Sequence, residues 1–187
     1  MRHESVPCFV CRDAPAGDRR DTIRAAINYG YDGLGDRLQQ TVKGQATNYT
    51  LDLNTGLTQV LDDGSHAYLY GVDRIAQVHG AQADYFLGDA LGSVRQLADQ
   101  SAAIRLSISY DPYGSAIAWA GNRISAYGYA GEAADAYIKL IDLRSRWYDP
   151  GTGRFLTKDS WQGNYTTPML YNDWLYVYAN PVNLTDP

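Results

Sequence analysis

Seven units between Tyr29 and Gly153 share one layout: aromatic residues in alternation, then Asp or Gly, a small residue, Gly, and an apolar or basic step. They read Tyr29-Gly30-Tyr31-Asp32-Gly33-Leu34-Gly35, Tyr49-Thr50-Leu51-Asp52-Leu53-Asn54-Thr55-Gly56, Tyr68-Leu69-Tyr70-Gly71-Val72-Asp73 and Tyr85-Phe86-Leu87-Gly88-Asp89-Ala90-Leu91-Gly92. Tyr110-Asp111-Pro112-Tyr113-Gly114, Tyr127-Gly128-Tyr129-Ala130-Gly131 and Trp147-Tyr148-Asp149-Pro150-Gly151-Thr152-Gly153 complete the series. The marker tyrosine of each unit returns after 17 to 25 residues. A unit of that length cannot bury an apolar face by itself, so neighbouring units must stack into a continuous sheet.

Each unit reads as a strand, a tight turn and a returning strand. Alternation with period 2 keeps the rings on one face. Asp caps the turn through its carboxylate, and Gly accepts the positive φ that such turns require. Return strands are expected at Leu38–Val42 and Val94–Ala98, with turns at Asp32–Gly35, Gly88–Gly92 and Asp111–Gly114. Composition agrees: 16 Tyr and 18 Gly stand beside only 3 Phe and 2 Met in 187 residues. Tyrosine suits a half-wet pleated surface, because its ring buries apolar area while its hydroxyl keeps a polar contact. The expected fold class is all-β, built from antiparallel hairpin repeats.

Residues 1–26 differ from the rest of the chain. They hold no Tyr and no Trp, and their net charge is +1 against −6 for residues 27–187. A boundary is placed at residue 26, with a poorly ordered leader before it. Cys8 and Cys11 form a Cys-x-x-Cys pair in that leader, but a tetrahedral metal site needs four ligands and only His3, His66 and His79 could add to it. They are read as incidental, with no metal and no cofactor. His66 and His79 are read as surface residues. No run approaches the length of an apolar membrane span, and Met1–Gly17 has no apolar h-region, so neither membrane insertion nor an export signal of its own is expected. The net charge of −5 gives no reason for phosphate-backbone binding, which excludes nucleic acid as an expected partner.

The ordered series resembles the tyrosine-aspartate (YD) repeats of Rhs proteins, and Tyr85–Pro187 resembles the Rhs repeat-associated core. The residues that carry the likeness are Leu87-Gly88-Asp89-Ala90-Leu91-Gly92-Ser93-Val94-Arg95, Tyr110-Asp111-Pro112-Tyr113-Gly114, Leu143 to Leu156 with Arg146-Trp147-Tyr148-Asp149-Pro150 inside it, and Asn180-Pro181-Val182-Asn183-Leu184-Thr185-Asp186-Pro187. The resemblance implies the end of a spiralling β-shell with a C-terminal plug, divided as a leader (1–26), YD-type hairpin repeats (27–84) and a repeat-associated core (85–187). In bacterial members such a shell encloses a variable C-terminal toxin. The implied partners are therefore a toxin segment and upstream YD repeats, neither contained in this chain, with secretion machinery or cell-surface glycans as further ones. The implied location is secreted or at the cell surface, as part of a larger protein.

Two departures from the family pattern matter. Lys139 occupies a place where the family has Gly, so a differently built turn is expected there. The first Asp-Pro-x-Gly element reads Asp159-Ser160-Trp161-Gln162-Gly163.

In the family, the Asp of that element and the Asp of the closing element are associated with self-cleavage. They map onto Asp159 and Asp186, 27 residues apart, more than the family's usual spacing. Two carboxylates brought together share a proton, so one serves as base toward water and the other as acid. Asp173 is the next carboxylate in line, and Lys158 is the cation expected beside Asp159. Against this stands the ordinary use of Asp before Ser or Pro in turns. The scissile bond would lie beyond Pro187, so the chain as given is expected to be inert toward itself. Trp119, Trp147, Trp161 and Trp174, with Tyr165, Tyr171, Tyr176 and Tyr178, are expected to fill the plug's core, with a sugar-binding platform as the alternative. Three functions are thus weighed: a structural and processing module of a toxin-presenting shell, an adhesive or carbohydrate-binding surface protein, and an aspartyl autoprotease active in the longer protein.

Overall fold

A computed structural model describes residues 26–159, 172–184 and 186. The leader, including Cys8 and Cys11, and residues Trp161, Tyr165 and Tyr171 lie outside the described residues. The chain divides into two compact units, one ending at Tyr68 and the other beginning at Leu69.

In the first unit, β1 (Ile27–Tyr31), β2 (Arg37–Val42) and β3 (Gln45–Asn48) form an antiparallel sheet in chain order. β4 (Thr50–Asp52) and β5 (Gln59–Asp62) form a further hairpin, and β6 (Ala67–Tyr70) spans the division between the units. In the second unit β7 (Arg74–His79), β8 (Gln82–Gly88), β9 (Val94–Asp99), β10 (Ile104–Tyr110) and β11 (Ala116–Gly121) succeed one another as an antiparallel meander. A second sheet there holds β12 (Ala133–Asp135), β13 (Leu140–Leu143), β14 (Arg146–Asp149) and β15 (Arg154–Phe155), again in sequence order.

One turn chemistry recurs in four of the hairpins, at Asp32, Asp89, Asp99 and Asp111, and it is the chemistry the Asp and Gly spacing implies. Asp32 Oδ1 accepts the N–H of Leu34 at 2.8 Å and of Asp36 at 2.9 Å, while the N–H of Gly35 reaches the Asp32 carbonyl at 3.4 Å. Asp89 and Asp111 repeat the arrangement: their carboxylates accept from Leu91 and Ser93 and from Tyr113 and Ser115, and Gly92 and Gly114 close the turns. Asp99 does the same with Ser101 and Ala103, where Ala102 takes the position of the glycine at φ 64°. Gly114 has no substitute, because its φ is 95° and a Cβ there would come within 2.6 Å of the Tyr129 ring.

The turn at Lys139 is not built differently. Lys139 N–H bonds the Asp135 carbonyl at 2.8 Å, as Gly153 N–H bonds that of Asp149 at 2.9 Å, and both residues have positive φ, 57° and 68°. Lysine here bears the cost of a left-handed backbone rather than changing the loop.

The buried cluster of the second unit is Tyr129, Ile141, Leu143, Tyr148, Phe155, Tyr176 and Val177. This corrects the expectation for the described tryptophans: Trp119 is 78% exposed, Trp174 43% exposed, and Trp147 is half-buried and outside the cluster. Tyr176 does belong to the core, whereas Tyr178 is exposed. Tyr129 and Tyr148 can be buried here because the chain offers their hydroxyls acceptors. Tyr148 donates to the Tyr113 carbonyl at 2.7 Å and Tyr129 to the Pro112 carbonyl at 2.8 Å, so each ring gains burial without a stranded hydroxyl. Trp119, on β11 at the end of its meander, faces solvent. Of the two described histidines, His79 is exposed and His66 half-buried, its ring nitrogen 3.9 Å from the Asp63 carboxylate.

Candidate functional site

β14 begins with Arg146 and continues to Tyr148, two residues on and therefore on the same face. Tyr148 is fully buried, so Arg146 projects toward the core side of its strand and must find compensation for its charge there. It does so in three ways. Its guanidinium lies over the Phe155 ring, 3.6 Å from the centroid, in a cation–π contact. Nη1 lies 2.8 Å from Asp159 Oδ2, and Nη2 lies 3.6 Å from Asp186 Oδ2. Nη1 also reaches toward the Asp173 carbonyl at 3.5 Å.

Backbone pairing brings these groups together. The N–H of Phe155 donates to the Trp174 carbonyl at 3.0 Å, an isolated bridge joins Arg154 to Leu175, and the N–H of Asp159 donates to the Asp173 carbonyl at 3.1 Å. Segment 172–175 therefore runs alongside 154–159. Tyr176–Ala179 then turns with left-handed backbone at Val177, Tyr178 and Ala179, and the chain passes through Pro181 toward Asp186.

The two aspartates singled out in the sequence thus meet at one guanidinium. Burial pushes the Asp186 carboxyl above its ordinary value; the Arg146 charge pulls it down and the neighbouring Asp159 pushes it up. Lys158, expected beside Asp159, places its ammonium 3.3 Å from the Asp173 carboxylate. Arg146 is the residue that sequence reading missed. A signal for it existed, because an arginine two places before a core tyrosine in a strand must face inward and needs acidic partners. Among the described residues, no group of three or more His, Cys, Asp or Glu is placed to hold a metal ion. No helix among them is long and apolar enough to cross a membrane.

These features define a class: antiparallel hairpins joined by Asp-capped turns, with a tyrosine-cored second sheet that carries an arginine-bridged carboxylate pair. The chain belongs to the teneurin YD-shell family, whose model matches residues 18–183. It is similar to the tRNA3(Ser)-specific nuclease WapA of Bacillus spizizenii, with 29% identity over 168 residues covering 85% of this chain and 7% of WapA. It also matches the crystal structure of TcdB2-TccC3 with a TM-score of 0.67 and 22% identity, over 96% of this chain and 10% of that one. The crystal structure of TcdB2-TccC3 without its hypervariable C-terminal region matches with a TM-score of 0.66 and 22% identity, over 96% of this chain and 9% of that one. The chain therefore spans about a tenth or less of the proteins it matches, and within them it corresponds to a segment of shell-like β structure.

Proposed function

We propose that this chain forms the closing segment of a YD-repeat shell that encloses and presents a variable C-terminal toxin, with residues 85–187 as the core that plugs the shell. The shell acts in a larger protein that is secreted or displayed at the cell surface, and its partners are the upstream repeats and the toxin segment. The observation that carries this reading is the way the repeat strand β7 is tied to the core: Arg74 Nη1 donates to the Gly131 carbonyl at 2.8 Å and Gln77 Nε2 to the Ile124 carbonyl at 2.9 Å. Core and repeat are thereby one packed body within the second unit, as a plug requires. The similarity to TcdB2-TccC3, which has a hypervariable C-terminal region, supports the same reading.

The processing part of this function falls to Asp159 and Asp186. A peptide bond presented beside the pair is hydrolysed by water. The ionised carboxylate takes the proton of the attacking water, and the neutral carboxyl passes its proton to the carbonyl oxygen. When the adduct collapses, the C–N bond breaks, the leaving nitrogen takes the proton that the base carboxyl now holds, and the other carboxylate recovers a proton from the adduct's hydroxyl as the new carboxyl group forms. The test is intact-mass analysis of the chain extended by the sequence that comes after Pro187 in its own gene, or by a reporter domain placed there. Cleavage just past Asp186-Pro187 is expected, and Asp159→Asn abolishes it while nearly preserving shape. A protein that stays whole between about pH 4 and 8, where a shared-proton pair has its active window, contradicts the processing role. Equal cleavage by Asp159→Asn transfers the chemistry to another carboxylate, with Asp173 next.

A second reading, an adhesive or glycan-binding surface, rests on the exposure of Trp119 and Ile117 on β11. Glycan-array binding that is lost in Trp119→Ala would support it.

A further inference from the structure

The chain reaches Asn180 through three consecutive left-handed residues, Val177 at φ 38°, Tyr178 at 56° and Ala179 at 58°. Left-handed backbone crowds the Cβ of any L-residue against a carbonyl oxygen, and a β-branched residue such as Val177 tolerates it least. Elsewhere among the described residues such conformations come singly, or in pairs whose second member is glycine, Lys43-Gly44 and Ala130-Gly131. No glycine relieves the run at 177–179.

Anchors on either side hold this turn in place. Before it, Tyr176 is wholly inaccessible, and Val177 joins it in the buried cluster. After it, the Asn180 N–H donates to the Val177 carbonyl at 2.9 Å, and the Asn180 carbonyl accepts the N–H of Leu184 at 3.1 Å. Tyr178 and Ala179 lie between these anchors and are exposed, so their own side chains offset little of the strain. We propose that Tyr176–Ala179 is a strained clasp with two states. It is closed while the Tyr176 ring fills its slot beside Tyr148, and open when that ring leaves and residues 177–179 relax to ordinary backbone. Because the relaxation lowers the cost of opening, segment 175–184 lets go while the sheets of the second unit stay folded. On the plug reading, on which this consequence rests, the clasp is where the closing segment comes free first; the two-state behaviour itself does not depend on that reading.

The test is hydrogen exchange of the full chain, read by mass spectrometry on peptides spanning 175–184, with peptides from β9 and β10 as the reference. In the unaltered protein the 175–184 amides should be less protected than the reference, although the Asn180 and Leu184 N–H groups are hydrogen-bonded. Tyr178→Gly combined with Ala179→Gly removes two of the crowded Cβ atoms without touching either buried anchor. It should slow exchange across 175–184 by about tenfold. Tyr178→Ala deletes the exposed ring but keeps the Cβ, and should not slow exchange. Protection of 175–184 equal to the reference in the unaltered protein overturns the proposal without need of a variant. So does a double-glycine protein that exchanges as fast as the unaltered one or faster, the behaviour of glycine in an unstrained turn. Slowing by Tyr178→Ala to the same extent would assign the effect to the ring and overturn it too. Rapid digestion of the region after Pro187 in the whole protein, with the predicted exchange pattern present, would instead refute the plug reading and leave the clasp standing.

Discussion

The rings of Tyr148 and Tyr176 meet with centroids 4.3 Å apart at 32°, both wholly inaccessible to solvent. Tyr148 comes from β14 and Tyr176 from the left-handed turn that returns the chain toward Asp186, so this contact holds the second sheet and the returning segment together. Phe155 stands edge-on to both rings, at 5.8 Å from Tyr148 and 5.9 Å from Tyr176.

Truncating Tyr148 should accordingly be among the most damaging changes in the second unit. Tyr148→Ala should lower stability by about 3–5 kcal/mol, the scale of a large aromatic lost from a core. Tyr148→Phe keeps the ring but strands the Tyr113 carbonyl, at a cost of about 1–3 kcal/mol. Urea unfolding monitored by tyrosine and tryptophan fluorescence measures both.

Backbone conformation gives opposite signs at two turn positions. Lys139 holds φ 57° where its counterpart Gly153 holds 68°, so Lys139→Gly should stabilise by roughly 0.5–1 kcal/mol. Gly114→Ala combines a positive φ with the Tyr129 ring in the path of the new methyl and should destabilise by at least about 1–2 kcal/mol. Denaturant midpoints of the two variants should move in opposite directions.

The turn aspartates set the acid limb of stability. Asp99 is held well below the ordinary carboxylate range by its hydrogen bonds from Ser101 and Arg105, and Asp32 is lowered by the backbone N–H groups of Asp36 and Leu34. A carboxyl whose folded value is depressed stabilises the fold above its unfolded value, and this contribution disappears as pH falls through the folded value. Asp186 has the opposite sign. Its folded value is raised, so its contribution is present at low pH and is lost as pH rises through that value. Thermal midpoints should therefore fall below about pH 4, and fall less steeply in Asp99→Asn.

How far the sequence reveals this molecule depends on whether the cause is local. Asp32, Asp89 and Asp111 were legible because each turn needs only its own five residues: a carboxylate to accept two N–H groups and a glycine to close the loop. Choosing tyrosine over tryptophan for the core was not legible, because it depends on the Pro112 and Tyr113 carbonyls arriving beside rings from other strands. Asp159 and Asp186 were singled out through family resemblance, whereas the Arg146 that bridges them went unread although it stands two places before the buried Tyr148 on one strand. The diversion of Lys158 to Asp173 required the antiparallel run of 172–175 beside 154–159, which no periodicity shows.

β11 leaves Ile117 and Trp119 on one face of a strand whose six residues are all exposed. An edge of this kind pairs readily with other chains. The chain alone should self-associate in sedimentation velocity, and Ile117→Lys combined with Trp119→Lys should shift it toward monomer without loss of β-sheet signal.

Limited proteolysis of the whole natural protein, with mass spectrometry of the region after Pro187, tests enclosure most directly. This region should survive protease concentrations that digest it rapidly as an isolated domain, and Tyr148→Ala should expose it by loosening the proposed plug. Digestion at the same rate inside the whole protein as in isolation would contradict the claim that this segment closes a shell around it.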